Sequence, residues 1–428
     1  MKPSTRLFNL ILIAVPLLLS MSSPPVRAEA DSPRLSLNEA ERIALQSDPL
    51  IESYAVSADG LRDEAVADGQ LPDPKLKLGL LNMPVDSFAR GQEPMTQLQV
   101  GIQQNFPRGR TLEYAGNKTA AMAGVETARK ENRRLLVLRY VRRAYLELYY
   151  YIHRQVLLED NRELFSQLLE ITQRQYAAGR DTQHDVMRAQ LELSLLDNRL
   201  LQARGNEQAA RAELAQWVSH DYARRPLLQG FPSLPAVPAL EDIRSLAMTH
   251  PLIRMQDAYI DAREQGVAMA EEQFKPGWML DLTYGERAGV NVDGSQRPDM
   301  FSAMVLVDIP LFTGKRQDKR LAAARKQVAA ARFTRTDQVR QLVRNAELQH
   351  AEWQQLNGRY ELYEKRTLLD AKQNTEVTLK AYQNDITDFT ALMRASLAEL
   401  DTQLDMLQVR VDRAKAHADL LYFAGDRP

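Results

Sequence analysis

The sequence predicts a mainly α-helical chain that also carries the strands of a transmembrane β-barrel, built twice from one repeat. Three observations support this. Landmarks recur in the same order across the two halves at a nearly constant offset. Two long stretches without proline, Arg110 to Tyr176 and Lys315 to Tyr382, read as continuous heptad helix. Four runs alternate apolar and polar residues over the length of a membrane-spanning strand.

Composition narrows the classes. The chain has 428 residues, with 55 Lys plus Arg against 56 Asp plus Glu, a net charge of −1 and no cysteine. The balanced charge excludes a general nucleic-acid binder. The missing cysteine excludes disulfides, thiolate metal sites, cysteine nucleophiles and a lipidated N-terminal Cys. With 44% apolar and 26% charged residues, the chain is neither disordered nor a bundle of membrane helices.

The N-terminus reads as an export signal over residues 1–28. Lys2 and Arg6 precede an apolar stretch from Leu7 to Leu19, and Val26-Arg27-Ala28 offers a cleavage site after Ala28. The alternative, a membrane anchor, needs a longer span. No other run is long and apolar enough for a membrane helix, so a membrane-embedded mature chain has to use strands.

The repeat sets the organisation. Asp48-Pro49-Leu50-Ile51 matches His250-Pro251-Leu252-Ile253 at an offset of 202, and Pro74 matches Pro276. Phe106-Pro107 matches Ile309-Pro310 at 203, and Arg108-Gly109-Arg110 matches Thr313-Gly314-Lys315 at 205. Tyr176 and Met187-Arg188-Ala189 match Tyr382 and Met393-Arg394-Ala395 at 206. This gives a first repeat over 29–229, a Pro-rich linker over 230–240 and a second repeat over 241–428.

Each repeat opens with a helical segment that ends at Pro74 or Pro276, followed by two strands near 75–82 and 95–106, or 277–286 and 299–311. In the first, Leu76, Leu78 and Leu80 oppose Lys75, Lys77 and Gly79. In the second, Leu98, Val100 and Ile102 oppose Gln97, Gln99, Gly101 and Gln103. In the third, Trp278, Leu280, Leu282 and Tyr284 oppose Met279, Asp281, Thr283 and Gly285. In the fourth, Phe301, Ala303, Val305, Val307 and Ile309 oppose Met300, Ser302, Met304, Leu306 and Asp308. If the apolar faces meet lipid, the candidates for a barrel lumen are Lys75, Lys77, Gln97, Gln99, Gln103, Asp281, Thr283 and Asp308. The loops Met83 to Pro94 and Arg287 to Pro298 are long and polar, as outer loops of such barrels are. Four strands cannot enclose a lumen, whereas a trimer would supply twelve. The alternative for these strands is a small soluble sandwich packed on the helices.

A Pro/Gly turn then opens each long helix, expected near 110–177 and 315–383. At 1.5 Å per residue each would be about 100 Å long, which suits a tube better than a compact bundle. Seam residues include Leu138, Val141, Tyr145, Leu148 and Ile152, then Leu342, Ala346, Trp353, Leu356, Tyr360 and Tyr363. Tips near 176–182 and 382–388 lead into return helices near 182–219 and 388–422. Gly179 can take the left-handed conformation that reverses the first tip, and Asp181 or Thr182 can cap the next helix. At the second tip Asp385 stands where the first has glycine. Asn384 or Asp385 can take the left-handed conformation there, and Thr387 or Asp388 can cap.

Catalytic and metal motifs are lacking: there is no phosphate-binding loop, no paired-glycine fingerprint and no His-Glu-x-x-His. Asp181, His184 and Asp185 cluster at the first tip, where a capped, solvated turn explains them better than a metal ion does. Met83, Met95, Met279, Met300 and Met304 lie near the strands, either as filler or as soft contacts for Cu(I).

In these features the sequence resembles the TolC family of outer-membrane efflux channels. The resemblance covers the mature chain. It rests on the duplicated strand-and-helix halves, on the turns Gln103-Gln104-Asn105-Phe106-Pro107-Arg108-Gly109-Arg110 and Asp308-Ile309-Pro310-Leu311-Phe312-Thr313-Gly314-Lys315, and on the tip Tyr176-Ala177-Ala178-Gly179. It implies a homotrimer with a 12-stranded barrel in outer-membrane lipid and an α-helical tunnel through the periplasm, constricted at the helix tips. It also implies a passive exit duct with no enzyme activity, no cofactor and no resident metal. The implied partners are a periplasmic adaptor (membrane fusion protein) and an inner-membrane pump of the resistance-nodulation-division type. The turns and tips look closer to the heavy-metal efflux branch than to the drug-export branch, which makes heavy-metal cations the candidate cargo. Aperture or tip candidates are Gly179, Arg180, Asp181, Thr182, Asp185, Asp385, Thr387, Asp388 and Arg394. The sequence departs from the family where an acidic gate is expected on the last helix, because Ala391 and Arg394 stand there. Asp385 and Asp388 could form an equivalent ring nearer the tip, tethered by Arg394. The lipidated Cys found after the signal in many relatives is absent. Two other classes compete: a periplasmic adaptor, which should show one helical hairpin per chain, and a periplasmic coiled-coil protein without a barrel.

Overall fold

The computed structural model describes residues 34–425 apart from 181, 238 and 385. The expected export segment, Asp181 and Asp385 therefore lie outside the described residues.

Two short helices open the chain, α1 (Leu37–Ser47) and α2 (Pro49–Asp68). Ser36 caps α1 by accepting from the Glu39 N–H at 3.1 Å. Asp48 caps α2, accepting from Leu50 and Ile51 at 3.1 and 3.0 Å, with Pro49 just inside the helix where its missing N–H costs nothing. Strands β1 (Lys75–Leu81) and β2 (Gln97–Phe106) follow, then α3 (Thr111–Ala177), α4 (Gln183–Val218) and the single turn α5 (His220–Ala223). After the connecting segment the order repeats: α6 (Leu240–Ala247), α7 (Pro251–Glu272), β3 (Gly277–Glu286), β4 (Met300–Asp308) and α8 (Gln317–Leu362). A five-residue π turn (Tyr363–Thr367) joins α8 to α9 (Leu368–Gln383), and α10 (Phe389–Phe423) closes the chain.

The π turn interrupts a stretch that the heptad pattern reads as one helix. Below Tyr360 the seam runs through Tyr363, Thr367, Ala371, Thr375 and Leu379, four successive steps of four residues, which overshoots a 3.5-residue repeat. One wide turn absorbs the extra residue. It also accounts for part of the drift between the repeats, because the offset is 205 at Gly109/Gly314, before the turn, and 206 at Tyr176/Tyr382, after it. β4 is shorter than its alternation suggests. It ends at Asp308 because Pro310 has no N–H for the ladder, leaving Ile309 and Leu311 exposed beyond it.

The strands form one antiparallel sheet in the order β1-β2-β3-β4, with β1 and β4 as its edges. The central β2–β3 pair joins the two repeats, with Gly101 opposite Thr283 and Gln103 opposite Asp281. Next to the sheet the helices follow the same order: α2 packs on α3, α3 on α7, and α7 on α8. Farther away, α3 pairs with α4, while α10 packs on α3, α8 and α9.

The core is a chain of clusters along this body. One joins α1, α3, α4 and α10 around Tyr145, Leu148, Leu214 and Val411. A second, toward the tips, contains Leu158, Phe165, Leu196, Phe389, Leu392 and Leu400. A third joins Leu135, Ile243, Ile253, Leu342 and Leu420. Buried polar groups are paired across elements. The Tyr145 hydroxyl donates to the Leu35 carbonyl at 2.9 Å, and burial pushes its pKa up to about 12. The buried Asp419 carboxylate of α10 accepts from Arg139 and Arg143 of α3, each at 2.6 Å. His250 is the counterpart of Asp48 as cap of α7: its Nδ1 accepts from the Leu252 N–H at 3.2 Å, which assigns the proton to Nε2, 3.1 Å from the Tyr422 carbonyl. Among the described residues no helix is long and apolar enough to cross a membrane.

Candidate functional site

The sheet is built inside out. Its apolar face is exposed: Leu78 is 69% accessible, Phe301 70% and Val305 59%. On the central strands β2 and β3 its polar face is covered: Gln97 is 6% accessible, Thr283 5% and Asp281 8%, whereas both faces of the edge strands β1 and β4 are open. Strand register puts all eight lumen candidates on that polar face. Lys75, Gln103 and Asp281 form one cross-strand row, Lys77, Gly101 and Thr283 the next, and Gln99 lies opposite Gly285. Gln97 lies at the outer end of this face, and Asp308, opposite Gly277, at the helix-proximal end.

These side chains form a connected network. Lys77 Nζ reaches across β2 to Asp281 Oδ2 and Thr283 Oγ1, both at 3.4 Å, and the Thr283 hydroxyl donates to Asp281 Oδ1 at 2.7 Å. The reach depends on Gly101, since a Cβ there would lie 2.7 Å from Thr283 Oγ1 and 2.8 Å from the Leu282 carbonyl. Gly285 plays the same part for Gln97, whose amide oxygen would lie 2.3 Å from an added Cβ. Gln99 donates to that oxygen at 3.1 Å. Sequence reasoning placed Gly101 on the polar face but missed its role. A glycine inside an otherwise regular strand was the available signal. At the helix-proximal end Arg108 lies 3.8 Å from Asp308 and donates to the Gln273 carbonyl at 2.7 Å. Met279, Met300 and Met304 share the polar face with these groups, while Met83 and Met95 lie in the β1–β2 connection.

Aromatic rings lie near both ends of the strands. Phe106 stacks on Trp278 at 3.8 Å near the helices, and the Tyr284 hydroxyl bonds Asp299 near the loops. The two long loops are laced together. Arg297 donates to the carbonyls of Gly91 and Glu93 at 3.2 and 3.1 Å, and Arg90 pairs with Glu286 at 3.0 Å.

The tips differ from each other. At the first, Gly179 has φ +71°, and the Arg180 N–H returns to the Gln175 carbonyl at 2.9 Å. Thr182 caps α4 in a reciprocal capping box with Asp185. At the second, Asn384 has φ −103°, so it is not the left-handed residue; its side chain donates to the Lys380 carbonyl at 2.7 Å. Asp388, rather than Thr387, caps α10 by accepting from the Ala391 N–H at 2.7 Å. Behind this tip Tyr382 packs edge-on against Phe389. Arg394 is exposed and forms no ion pair among the described residues. The structure thus puts Asp388 at the N-cap of α10 and Arg394 within that helix, and shows no bond between them. The Arg139–Asp419–Arg143 cluster was also missed, although the four-residue spacing of the two arginines places both on one face of α3.

The sheet and helical body can be compared with known structures. The family model described as outer membrane efflux protein matches residues 243–426. The outer membrane protein VceC of Vibrio cholerae is 20% identical, with a TM-score of 0.74 over 91% of this chain and 96% of its own. CusC is 13% identical, with a TM-score of 0.75 over 91% and 92%. The open state of the outer membrane channel MtrE of Neisseria gonorrhoeae is 16% identical, with a TM-score of 0.71 over 91% and 88%. No curated protein sequence matches the chain. The chain has the TolC-like channel fold: a mainly helical body with a small antiparallel four-stranded sheet.

Proposed function

We propose that this protein is an outer-membrane efflux channel of the TolC type, a homotrimer whose three sheets close into a 12-stranded barrel. The observation that carries the reading is the inside-out sheet, with Leu78 and Phe301 bare and Asp281 and Thr283 covered. An apolar face that large on a strand layer marks contact with another apolar phase, and lipid is that phase for a barrel. The fold and the family match over the second repeat support the same reading. The free edges of β1 and β4 call for closure.

In this reading the polar network around Lys77 and Asp281 lines a water-filled exit, and the helical body carries it through the periplasm to the tips. The duct itself is passive, and export is energised by an inner-membrane pump through a periplasmic adaptor that docks at the tips near Gly179 and Arg180. Asp385 and Asp388 form the acidic constriction, and heavy-metal cations are the cargo. The test is conductance in planar bilayers. Purified protein should give discrete, cation-selective channels, and cells lacking it should gain sensitivity to the exported metal. Protein that inserts but never conducts would overturn the duct. Unchanged metal sensitivity alongside lost tolerance of organic drugs would overturn the cargo.

A further inference from the structure

The two strand-to-helix corners of the chain are built differently. The repeat offset is 203 at Pro107/Pro310 and 205 at Gly109/Gly314, so the second corner holds two residues that the first lacks. They are Leu311 and Phe312, 73% and 87% accessible. The following turn changes as well. At the offset of 205, Thr111, Tyr114 and Ala115 of α3 become Arg316, Lys319 and Arg320, and Lys315 stands for Arg110. Residues 315–320 thus carry four cations against Asp318 alone.

The first corner is held by its own chain. Glu272 of α7 accepts from the Arg110 N–H at 2.8 Å, Arg108 donates to the Gln273 carbonyl, and Phe106 lies on Trp278. The second corner is a tight bend with bare side chains. The Leu311 N–H returns to the Ile309 carbonyl at 3.0 Å, and the Arg316 and Asp318 N–H groups both return to the Thr313 carbonyl, at 3.0 and 3.1 Å. Lys315, Arg316, Lys319 and Arg320 are exposed and form no ion pair among the described residues. They also gather at the N-terminus of the 46-residue α8, whose N-cap Arg316 supplies no side-chain bond. Cations there oppose the helix dipole, and an anion joining them removes that cost.

Trp278 lies opposite Val307 and shares the bare face with Leu280, so it marks the helix-proximal end of the apolar band. In the barrel reading this is the periplasmic boundary of the membrane. Ile309, 65% accessible, continues the bare face of β4, and the corner follows directly.

We infer that this corner is a binding site for an anionic glycerophospholipid of the periplasmic leaflet. Leu311 and Phe312 enter the acyl boundary, and Lys315, Arg316, Lys319 and Arg320 hold the phosphodiester headgroup, as long cationic side chains beside apolar surface do. Two observations select lipid as the occupant: the continuity of the corner with the bare face of β4, and the unpaired positive charge next to it. The inference rests on the barrel reading and adds a lipid class and its residues. The first corner, without the two apolar residues and the added cations, has no such site.

The test uses full-length, detergent-extracted protein reconstituted in phosphatidylcholine vesicles. F312W puts a fluorophore at the bend. The fluorescence it adds over the parent should be half-quenched at a mole fraction about fivefold lower for brominated phosphatidylglycerol than for brominated phosphatidylcholine. K315Q/R316Q/K319Q/R320Q in the same background should erase that difference, with recovery from the outer-membrane fraction and conductance unchanged. Because F312W alters the corner itself, native mass spectrometry is the second measurement. Phosphatidylglycerol should stay bound to the parent protein and be lost from the quadruple variant and from L311S/F312S. Equal quenching by the two lipids would overturn the headgroup site, and quenching by neither would overturn the whole anchor. Normal conductance in either case would leave the barrel reading standing. If millimolar inorganic phosphate abolishes the preference, the cations serve a free anion and the lipid site falls. If the quadruple variant loses its oligomer but keeps the lipid preference, the cations serve a second copy and the site falls equally. Protein that never inserts would remove the barrel reading and the anchor with it.

Discussion

The sheet and the helical body solve opposite problems with the same residues. In the helical body Tyr145, Leu148, Phe165 and Leu400 are buried and charges cover the surface. In the sheet Leu76, Leu78, Val305 and Phe301 are bare, while Asp281, Thr283 and Gln97 are covered. The hydrophobic effect is the same in both. In the proposed reading the solvent differs: water surrounds the body, whereas the sheet meets an apolar surround with water on its polar side. The helices make their own core, and the sheet leaves its apolar face and both edges bare.

Several substitutions test that contrast. The largest effect is expected on the bare face. L78R and V305R should each cost about 2–4 kcal/mol in the membrane-inserted state, and together they should abolish recovery from the outer-membrane fraction. Q99R on the polar face should insert normally, and equal behaviour of the two faces would break the contrast. In the helical body D419A removes the partner of Arg139 and Arg143. Breaking a fully buried pair costs about 3–5 kcal/mol, but both arginines reach water here, so about 2 kcal/mol is expected in chemical denaturation.

A smaller effect follows from pH. Burial lowers the pKa of His250 from its ordinary value to about 4, and burial also lowers that of His417. The unfolded chain takes up protons near pH 6.5 that the folded chain refuses, so stability is full above about 6.5 and declines as pH falls toward 4. His250 contributes at most about 3 kcal/mol to that decline. Asp48 adds a loss of the same sign at lower pH. Burial opposes its charge, but Arg133 and the Ile51 and Leu50 N–H groups hold its carboxyl below the usual range. Thermal unfolding between pH 7.5 and 4.5 should show a falling Tm, with a shallower slope in H250N. The smallest change is at the second tip, where D388N keeps a good helix cap and removes only the charge. It should raise single-channel conductance severalfold without altering Tm, and unchanged conductance would remove Asp388 from the constriction.

Much of the fold was legible in the sequence because its signals are periodic. Alternation over Lys75–Leu81 and Met300–Asp308 announced the strands and which face was polar, since strand geometry admits only two faces. The heptad spacing announced α3 and α4. What periodicity could not reveal was local departure from it. The π turn at Tyr363–Thr367 depends on one extra residue that shifts a seam without breaking it, and the end of β4 on one missing N–H at Pro310. The candidate site was only partly legible. Residue type put Lys77 and Asp281 on one face, but their contact needs the gap at Gly101 on the strand between them. At the second tip the choice of Asp388 over Thr387 as cap turned on backbone geometry that both residues suit.

The most direct measurement is the mass of the species that mild detergent extracts from the outer-membrane fraction. The proposed 12-stranded barrel predicts a complex of three chains, because four strands with two free edges cannot close alone. A water-soluble monomer recovered from the periplasm would contradict it, because the bare face of Leu78, Val305 and Phe301 would then have no apolar phase to meet.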